Sequence, residues 1–537
     1  MLKAEVDLLW NGGIGTYVKA STESNAEVGD RANDSLRVDG YELRCRVVGE
    51  GGNLGFTQRG RIEYALQGGR IYMDAIDNSA GVDCSDHEVN IKILLDAIVE
   101  AGDMTDKQRN ELLAGMTEEV GDLVLRDNYL QTQAISQAEA QAHSMVDVHA
   151  RYIHALEHSG RLNRELEFLP DDETLGERKS EGGGLTAPEL AILLSYTKIT
   201  LYKQLLDSDA PEDPYLSREL ERYFPTPLRE RFREEIHEHR LHREITATHV
   251  ANSMVNRGGI TFAYRLAEET GARASEIARA YTAAREIFGT RDLWSEIESL
   301  DNRVDAEVQT RMMLDARKLV ERATRWLLRN RRSPLDIEAA ISHFAGSAAQ
   351  LYERIPDLMI DGEREAAVRA TERLTEAGVP AELARHVAIL GPMFSALDMV
   401  DVSTSTRSSL EDTAAVYFTL GDRLKVHWLR GHVEALPRDN RWRTLARSAL
   451  RDDLYGQQAA LTAEILRNTP DDRKAHERIE TWIEANQESV DRSLQVLSDI
   501  NASGTFDLST LSVALREIRN LITTSEGSPA EAEATTG

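Results

Sequence analysis

Tyr41–Leu95 reads YELRCRVVGEGGNLGFTQRGRIEYALQGGRIYMDAIDNSAGVDCSDHEVNIKILL. Arg44–Val48 is a short strand-like run followed by Gly49, Gly51 and Gly52, and Thr57–Gln67 carries helical spacing with Ile62 and Ala65 inward. Ile71–Ile76 is a second such run. Asn78, Ser79, Ala80, Gly81 and Val82 then form a small-residue loop ahead of a helix from Ser85 to Ala101, with Val89, Ile93 and Ile98 turned inward. Strand, loop, helix, repeated, is the alternation that builds a parallel sheet. Ligands of open α/β sheets bind where strands end and turn toward helices, so both loops are candidates for chemistry. Glycines there let a backbone approach a ligand without an intervening Cβ, and the Asn53 amide can both donate and accept. Ser85–Glu88 has the S-x-x-E form of a capping box. A helix start at Ser85 would offer free N–H groups and positive partial charge to a carboxylate.

Working outward, Val6–Trp10 reads as a buried strand and Gly12, Gly13 and Gly15 as a tight loop. Thr105–Gln108 is a T-x-x-Q capping box, opening a helix with Leu112, Met116, Val120 and Leu123 on one stripe. Beyond about residue 130 helical periodicity takes over. Thr186-Ala187-Pro188-Glu189 marks the start of a largely apolar helix through Leu206, and a long helix is expected from Leu228 to Val255. Further helices follow to Thr523 without a fixed repeat, which suits an irregular bundle. The tail from Ser525 to Gly537 lacks large apolar residues and is expected to be disordered.

The 537 residues allow several domains. A formal charge of -28 argues against nucleic-acid or anionic-membrane partners, which would repel so acidic a surface. Two cysteines, Cys45 and Cys84, cannot make a disulfide framework and are expected as buried thiols in a reducing cytoplasm. No segment has the run of roughly 20 apolar residues needed to cross a bilayer.

Three motifs in order resemble the cofactor domain of glutamate dehydrogenases. Val6-Asp7-Leu8-Leu9-Trp10-Asn11-Gly12-Gly13 is similar to the strand and loop beneath the nicotinamide, and Glu50-Gly51-Gly52-Asn53 to the family's E-G-A-N turn. Asn78-Ser79-Ala80-Gly81-Val82-Asp83-Cys84-Ser85 is similar to its N-A-G-G-V-x-x-S turn, with Ser79 and Ala80 as small departures. The resemblance is strongest to the large bacterial NAD-dependent enzymes and extends over nearly the whole chain. It implies NAD as cofactor, contacted by Asn11, Gly12, Gly13, Gly51, Gly52, Asn53 and Asn78, with Ser85 on the side-chain carboxylate of L-glutamate. It implies a partial Rossmann-like parallel sheet in an α/β region over 1–130, the distal half of an NAD-binding domain. A mostly α region, an irregular helical bundle, would then span 131–524, with the disordered tail at 525–537.

The reaction implied is oxidative deamination of L-glutamate to 2-oxoglutarate and ammonium. No residue here matches the family's catalytic lysine, catalytic aspartate or pyrophosphate loop, so no catalytic residue is assigned. The chain is expected to be the C-terminal part of a larger homo-oligomeric enzyme, inactive without its N-terminal part. The alternative is a non-catalytic helical interaction or regulatory protein that retains a dehydrogenase remnant.

The remaining polar groups read more plainly. His237, His239 and His242 suit a solvated helix face, since no convergent ligand set accompanies them and no metal site is assigned. Asp83, Asp86 and His87 suit ordinary first-turn capping rather than a proton relay. Arg325, Arg329, Arg331 and Arg332 complement a helix C-terminus, an anionic effector being the alternative.

Overall fold

The structure, a computed structural model, describes residues 1–526, so most of the predicted tail lies outside the described residues. It is mostly helical, with a small parallel sheet at the N-terminus. β1 (Leu8–Asn11) pairs in parallel with β4 (Val47–Glu50), and β2 (Val18–Lys19) with β3 (Val38–Asp39). Val18, Leu43, Cys45, Val48, Phe56, Tyr64 and Ile71 form the core beneath these strands. β1 is not the buried strand expected: Leu8 and Trp10 are 56% and 61% exposed. Among the described residues β1 pairs only with β4, and its alternate side chains Leu8 and Trp10 face outward while Leu9 packs against the core.

The second predicted strand, Ile71–Ile76, does not form. A single bridge joins Val47 to Arg70, and Asp74–Asp77 is a short helix. The Asp74 carboxylate accepts the Leu54 N–H at 2.8 Å and that of Asp77 accepts the Glu50 N–H at 2.9 Å. One helical turn aims both carboxylates back at the end of β4, which an extended chain would point to opposite faces.

The next helix also departs from expectation. It runs Ser79–Glu100, starting six residues before Ser85, so Ser85–Glu88 is helix interior and not a cap. Its buried face carries His87, Asn90, Ile91, Leu94, Leu95 and Ile98, while Val89 is exposed. Cys84 is exposed on it, whereas Cys45 is buried as expected.

The described chain divides into two compact units, residues 1–282 with 324–337, and 283–323 with the described residues from 338 onward. In the first, the capping boxes at Thr105 and Thr186 form as read, opening the helices Asp106–Gly115 and Ala187–Leu206. The latter is apolar on most sides because it packs against Thr117–Ala140, His242–Ser253 and Gln58–Leu66 together. The long helix expected from Leu228 to Val255 is broken into Thr226–Arg231, Arg233–His237 and His242–Ser253. The break turns His239 inward, to 3% exposure, where Nε2 bonds the Asn90 carbonyl at 3.1 Å and Nδ1 accepts the Leu241 N–H at 3.1 Å. His239 is therefore a core hydrogen-bonding residue and not part of a solvated face. Arg325 is likewise buried, paired with Glu269 at 2.5 Å, rather than free at a helix end.

In the second unit, the Arg441–Asn468 helix is central to a core that includes Val416, Leu420, Leu429, Leu454, Leu461, Trp482 and Leu515. Buried Arg478 closes its C-terminus, donating to the carbonyls of Leu466 and Thr469 and to Thr469 Oγ1. Helix C-termini leave carbonyls unsatisfied and carry negative partial charge, which a guanidinium answers on both counts.

Candidate functional site

The site forms at the C-terminal end of the β1/β4 pair. Asn11 and Glu50 are register partners, so the loops leaving them begin side by side. The Gly52 N–H donates to the Asn11 carbonyl at 2.8 Å and ties one loop to the other. Close approach requires glycine here: a Cβ on Gly52 would lie 2.5 Å from the Gly13 carbonyl oxygen, and one on Gly51 2.3 Å from Trp10 Cζ2. Asn11, Gly12 and Gly13 therefore adjoin Gly51, Gly52 and Asn53. Asn11 Nδ2 is buried without a hydrogen-bond partner.

Asn78 joins this group. It sits between the Asp74–Asp77 and Ser79–Glu100 helices, and its Nδ2 donates to Asn53 Oδ1 at 3.1 Å. Asn128 Nδ2 supports the junction from below, donating to the Ile76 carbonyl at 2.8 Å and to Ser79 Oγ at 3.0 Å. Ser85 is placed differently from expectation. It follows Asn78 and Val82 at the i, i+4, i+7 spacing of one helix face, about 10 Å along the axis from Asn78. It is exposed, but the helix start lies at Asn78 and Ser79, well before it, so no helix-start N–H group lies beside it.

A buried charge cluster that the sequence did not reveal fixes the loop from β4. Glu50 is fully buried and accepts two bonds from Arg61, Nε to Oε2 at 2.6 Å and Nη2 to Oε1 at 2.9 Å. Asp74 lies 3.4 Å from the same guanidinium. Burial pushes the Glu50 carboxyl up, and the bidentate guanidinium opposes that shift. Burial likewise raises Asp77 to about 6, against the pull of the Glu50 N–H.

A second cluster, in which Asp127 and Lys198 join the Asp83 and His87 read from the sequence as capping residues, lies along the Ser79–Glu100 helix. Burial, with Asp127 and Asp86 nearby, pushes Asp83 up to about 7, and burial lowers His87. Lys198 is brought down to about 8 by burial, against the attraction of Asp127 and Asp83. With the helix starting at Ser79, Asp83 and His87 are past the first turn and are not capping residues.

The family description "Bacterial NAD-glutamate dehydrogenase, catalytic domain" matches residues 1–138, and "Glutamate dehydrogenase, C-terminal" matches residues 182–520. The chain belongs to the bacterial NAD-specific glutamate dehydrogenase family. Among relatives named NAD-specific glutamate dehydrogenase, it is 46% identical to that of Halomonas elongata over 521 residues, which is 97% of this chain and 32% of the relative. It is 46% identical to that of Pseudomonas aeruginosa over 526 residues and 43% to that of Mycobacterium tuberculosis over 525, in each case 98% of this chain and 32% of the relative. The chain thus spans about a third of the length of these glutamate dehydrogenases. The three motifs of the nicotinamide resemblance all fall inside the catalytic-domain match.

Proposed function

We propose that the chain takes part in the oxidation of L-glutamate by NAD to 2-oxoglutarate and ammonium, as the C-terminal part of a longer cytoplasmic homo-oligomeric enzyme. The observation that carries this reading is the Asn53–Asn78 hydrogen bond, which draws two separate strand-end and helix-start turns to one surface. The β1/β4 pair is then the edge of a Rossmann-like sheet, and the helices that follow form an irregular bundle.

The residues present fit a nicotinamide nucleotide. Asn11 carries a buried amide donor without a partner, and Gly51 and Gly52 keep the backbone open between the loops. Asn11, Gly12, Gly13, Gly51, Gly52 and Asn53 would hold the nicotinamide ribose, and Asn78 its carboxamide end. NAD, when bound, accepts a hydride from the substrate Cα. The chain's own residues orient: Asn53 and Asn78 fix each other's amides, and the buried Glu50–Arg61 pair fixes the loop that bears Asn53. The exposed Ser85 hydroxyl would donate to the glutamate side-chain carboxylate from the same helix face as Asn78. Proton transfer at the amino group is assigned to the part of the enzyme outside this chain.

The test is an NAD-reduction assay with L-glutamate. The purified chain is expected to be inactive alone and to gain activity on co-expression with the N-terminal two-thirds of a relative. Turnover by the chain alone overturns the partial-enzyme reading, and failure to bind NAD in either form overturns the whole.

A further inference from the structure

The buried side of the Ser79–Glu100 helix carries a cluster for which the proposed function has no use. Asp83 and His87 are four residues apart, hence on one face, with His87 Nε2 3.9 Å from Asp83 Oδ1. Asp127, from the Thr117–Ala140 helix packed alongside, completes a set whose three donor atoms lie within 4.8 Å of one another. All three belong to the first compact unit.

The histidine is the telling member. It is only 2% exposed, and neither Nδ1 nor Nε2 has a hydrogen-bond partner; Asp83 Oδ2 is buried and unpartnered too. Buried imidazoles are ordinarily satisfied, as His239 on the same core is, because an unmet buried polar atom costs about 1–3 kcal/mol. The His87 ring is also held in place. It stacks on Tyr223 at 4.3 Å between centroids, and the Tyr223 hydroxyl donates to Asp86 Oδ2 at 2.7 Å while accepting from Asn90 Nδ2 at 2.9 Å. Stacking occupies the ring's face and leaves its nitrogen edge toward the carboxylates.

We infer that Asp83, His87 and Asp127 form a binding site for a divalent first-row transition ion, of the zinc class, between two helices of the first unit. One imidazole and two carboxylates match the nitrogen and oxygen donors such ions take, and the imidazole selects them over Mg2+ and Ca2+. A tetrahedral shell with bonds of ~2.1 Å sets neighbouring donors ~3.4 Å apart, so the 3.9 Å His87–Asp83 separation and the others, up to 4.8 Å, close by side-chain rotation. Lys198 attracts both carboxylates through space, but its hydrogen bond goes to Gln131 Oε1 at 3.4 Å, leaving the carboxylate oxygens to the ion. The bound ion would pin the helix that bears Ser85 to its neighbour and stabilise the fold by mass action.

The test uses the full chain, stripped with EDTA and titrated with Zn2+ by calorimetry and with Co2+ by visible absorption. One equivalent of Zn2+ per chain is expected, with a rise in Tm and a Co2+ spectrum showing nitrogen coordination. Asp127→Asn and His87→Gln are each expected to weaken Zn2+ at least ~10-fold. Because His87 is buried, Asp127→Asn decides if the histidine variant does not fold. No saturable binding, affinity unchanged in Asp127→Asn, or Mg2+ and Ca2+ binding as tightly as Zn2+ overturns the site. None of these readouts depends on glutamate or NAD, so the site and the proposed function stand or fall separately.

Discussion

Asn78 Nδ2 donates to Asn53 Oδ1 at 3.1 Å, across 25 residues of chain, and this bond joins the turn after β4 to the start of the Ser79–Glu100 helix. It is an exposed bond, so its effect on stability is small, while its effect on how two amides face a ligand is direct. Asn53→Ala and Asn78→Ala are each expected to weaken NAD binding by about 10-fold, equivalent to ~1.4 kcal/mol. Neither should shift Tm by more than about 2 °C. Calorimetric titration with NAD beside a thermal scan checks both; a large fall in Tm with unchanged affinity would make the bond structural only.

The glycines of the E-G-G-N turn should separate by what each faces. A methyl on Gly51 meets the ring of Trp10, which is largely exposed and can swing away, whereas one on Gly52 meets the Gly13 backbone. Gly52→Ala is expected to destabilise by about 1–3 kcal/mol and Gly51→Ala by clearly less, with a change in Trp10 emission. Urea unfolding and tryptophan fluorescence distinguish them; equal losses would mean that the Gly13 backbone yields as readily as the ring.

Glu50 and Arg61 make the strongest buried pair under the site. Arg61→Met strands a buried carboxylate beside Asp74 and Asp77 and is expected to cost about 3–5 kcal/mol. Combining it with Glu50→Gln should recover part of that loss, since an amide needs no counter-ion. The double-mutant cycle in urea measures the coupling, and simple additivity of the two losses would contradict the pairing.

Asp77 gives a pH dependence of definite sign. Its carboxyl is raised by burial from 3.8 to about 6, so the folded state holds a proton that the unfolded chain has released. Its contribution is fully present below about pH 4 and is lost as pH rises through about 6. Asp77→Asn keeps a carbonyl oxygen for the Glu50 N–H and never ionises. The variant should gain on the parent between pH 4 and 7, by on the order of 1–2 kcal/mol. Stability measured at several pH values checks it; a parent that gains on the variant over that range would reverse the sign.

In the second unit, Arg478 donates to three acceptors at the end of the Arg441–Asn468 helix. Arg478→Met is expected to cost about 2–4 kcal/mol by leaving those acceptors buried and unmet. Arg478→Lys should rescue little, because an ammonium cannot span the same fork. Hydrogen exchange at Leu466–Thr469 reads the loss locally, and full rescue by lysine would show that charge alone matters.

What could be read from the order of residues was local. Thr57, Thr105 and Thr186 open helices as expected because an N-cap bond closes within three residues. Ser85 satisfied the same pattern and failed, since the helix had already begun at Ser79 with Asn128 bonded to Ser79 Oγ from 49 residues away. The Ile71–Ile76 run has strand-like residues, yet Asp74 and Asp77 bond backbone N–H groups 20 and 27 residues distant, and only a helical turn aims them there. His239 looked solvated within its own helix until the break at Phe232 and Leu241 turned it onto the Asn90 carbonyl.

By itself the sequence determined the helix starts at Thr57, Thr105 and Thr186 and the glycines that let two loops touch, because these depend on neighbours a few bonds away. Tertiary structure decided that Trp10 lies exposed, that Glu50 is sealed against Arg61, and that Asp83, His87 and Asp127 meet. Those outcomes depend on burial and on distances between segments far apart in the chain, which set charge energies that no local pattern contains.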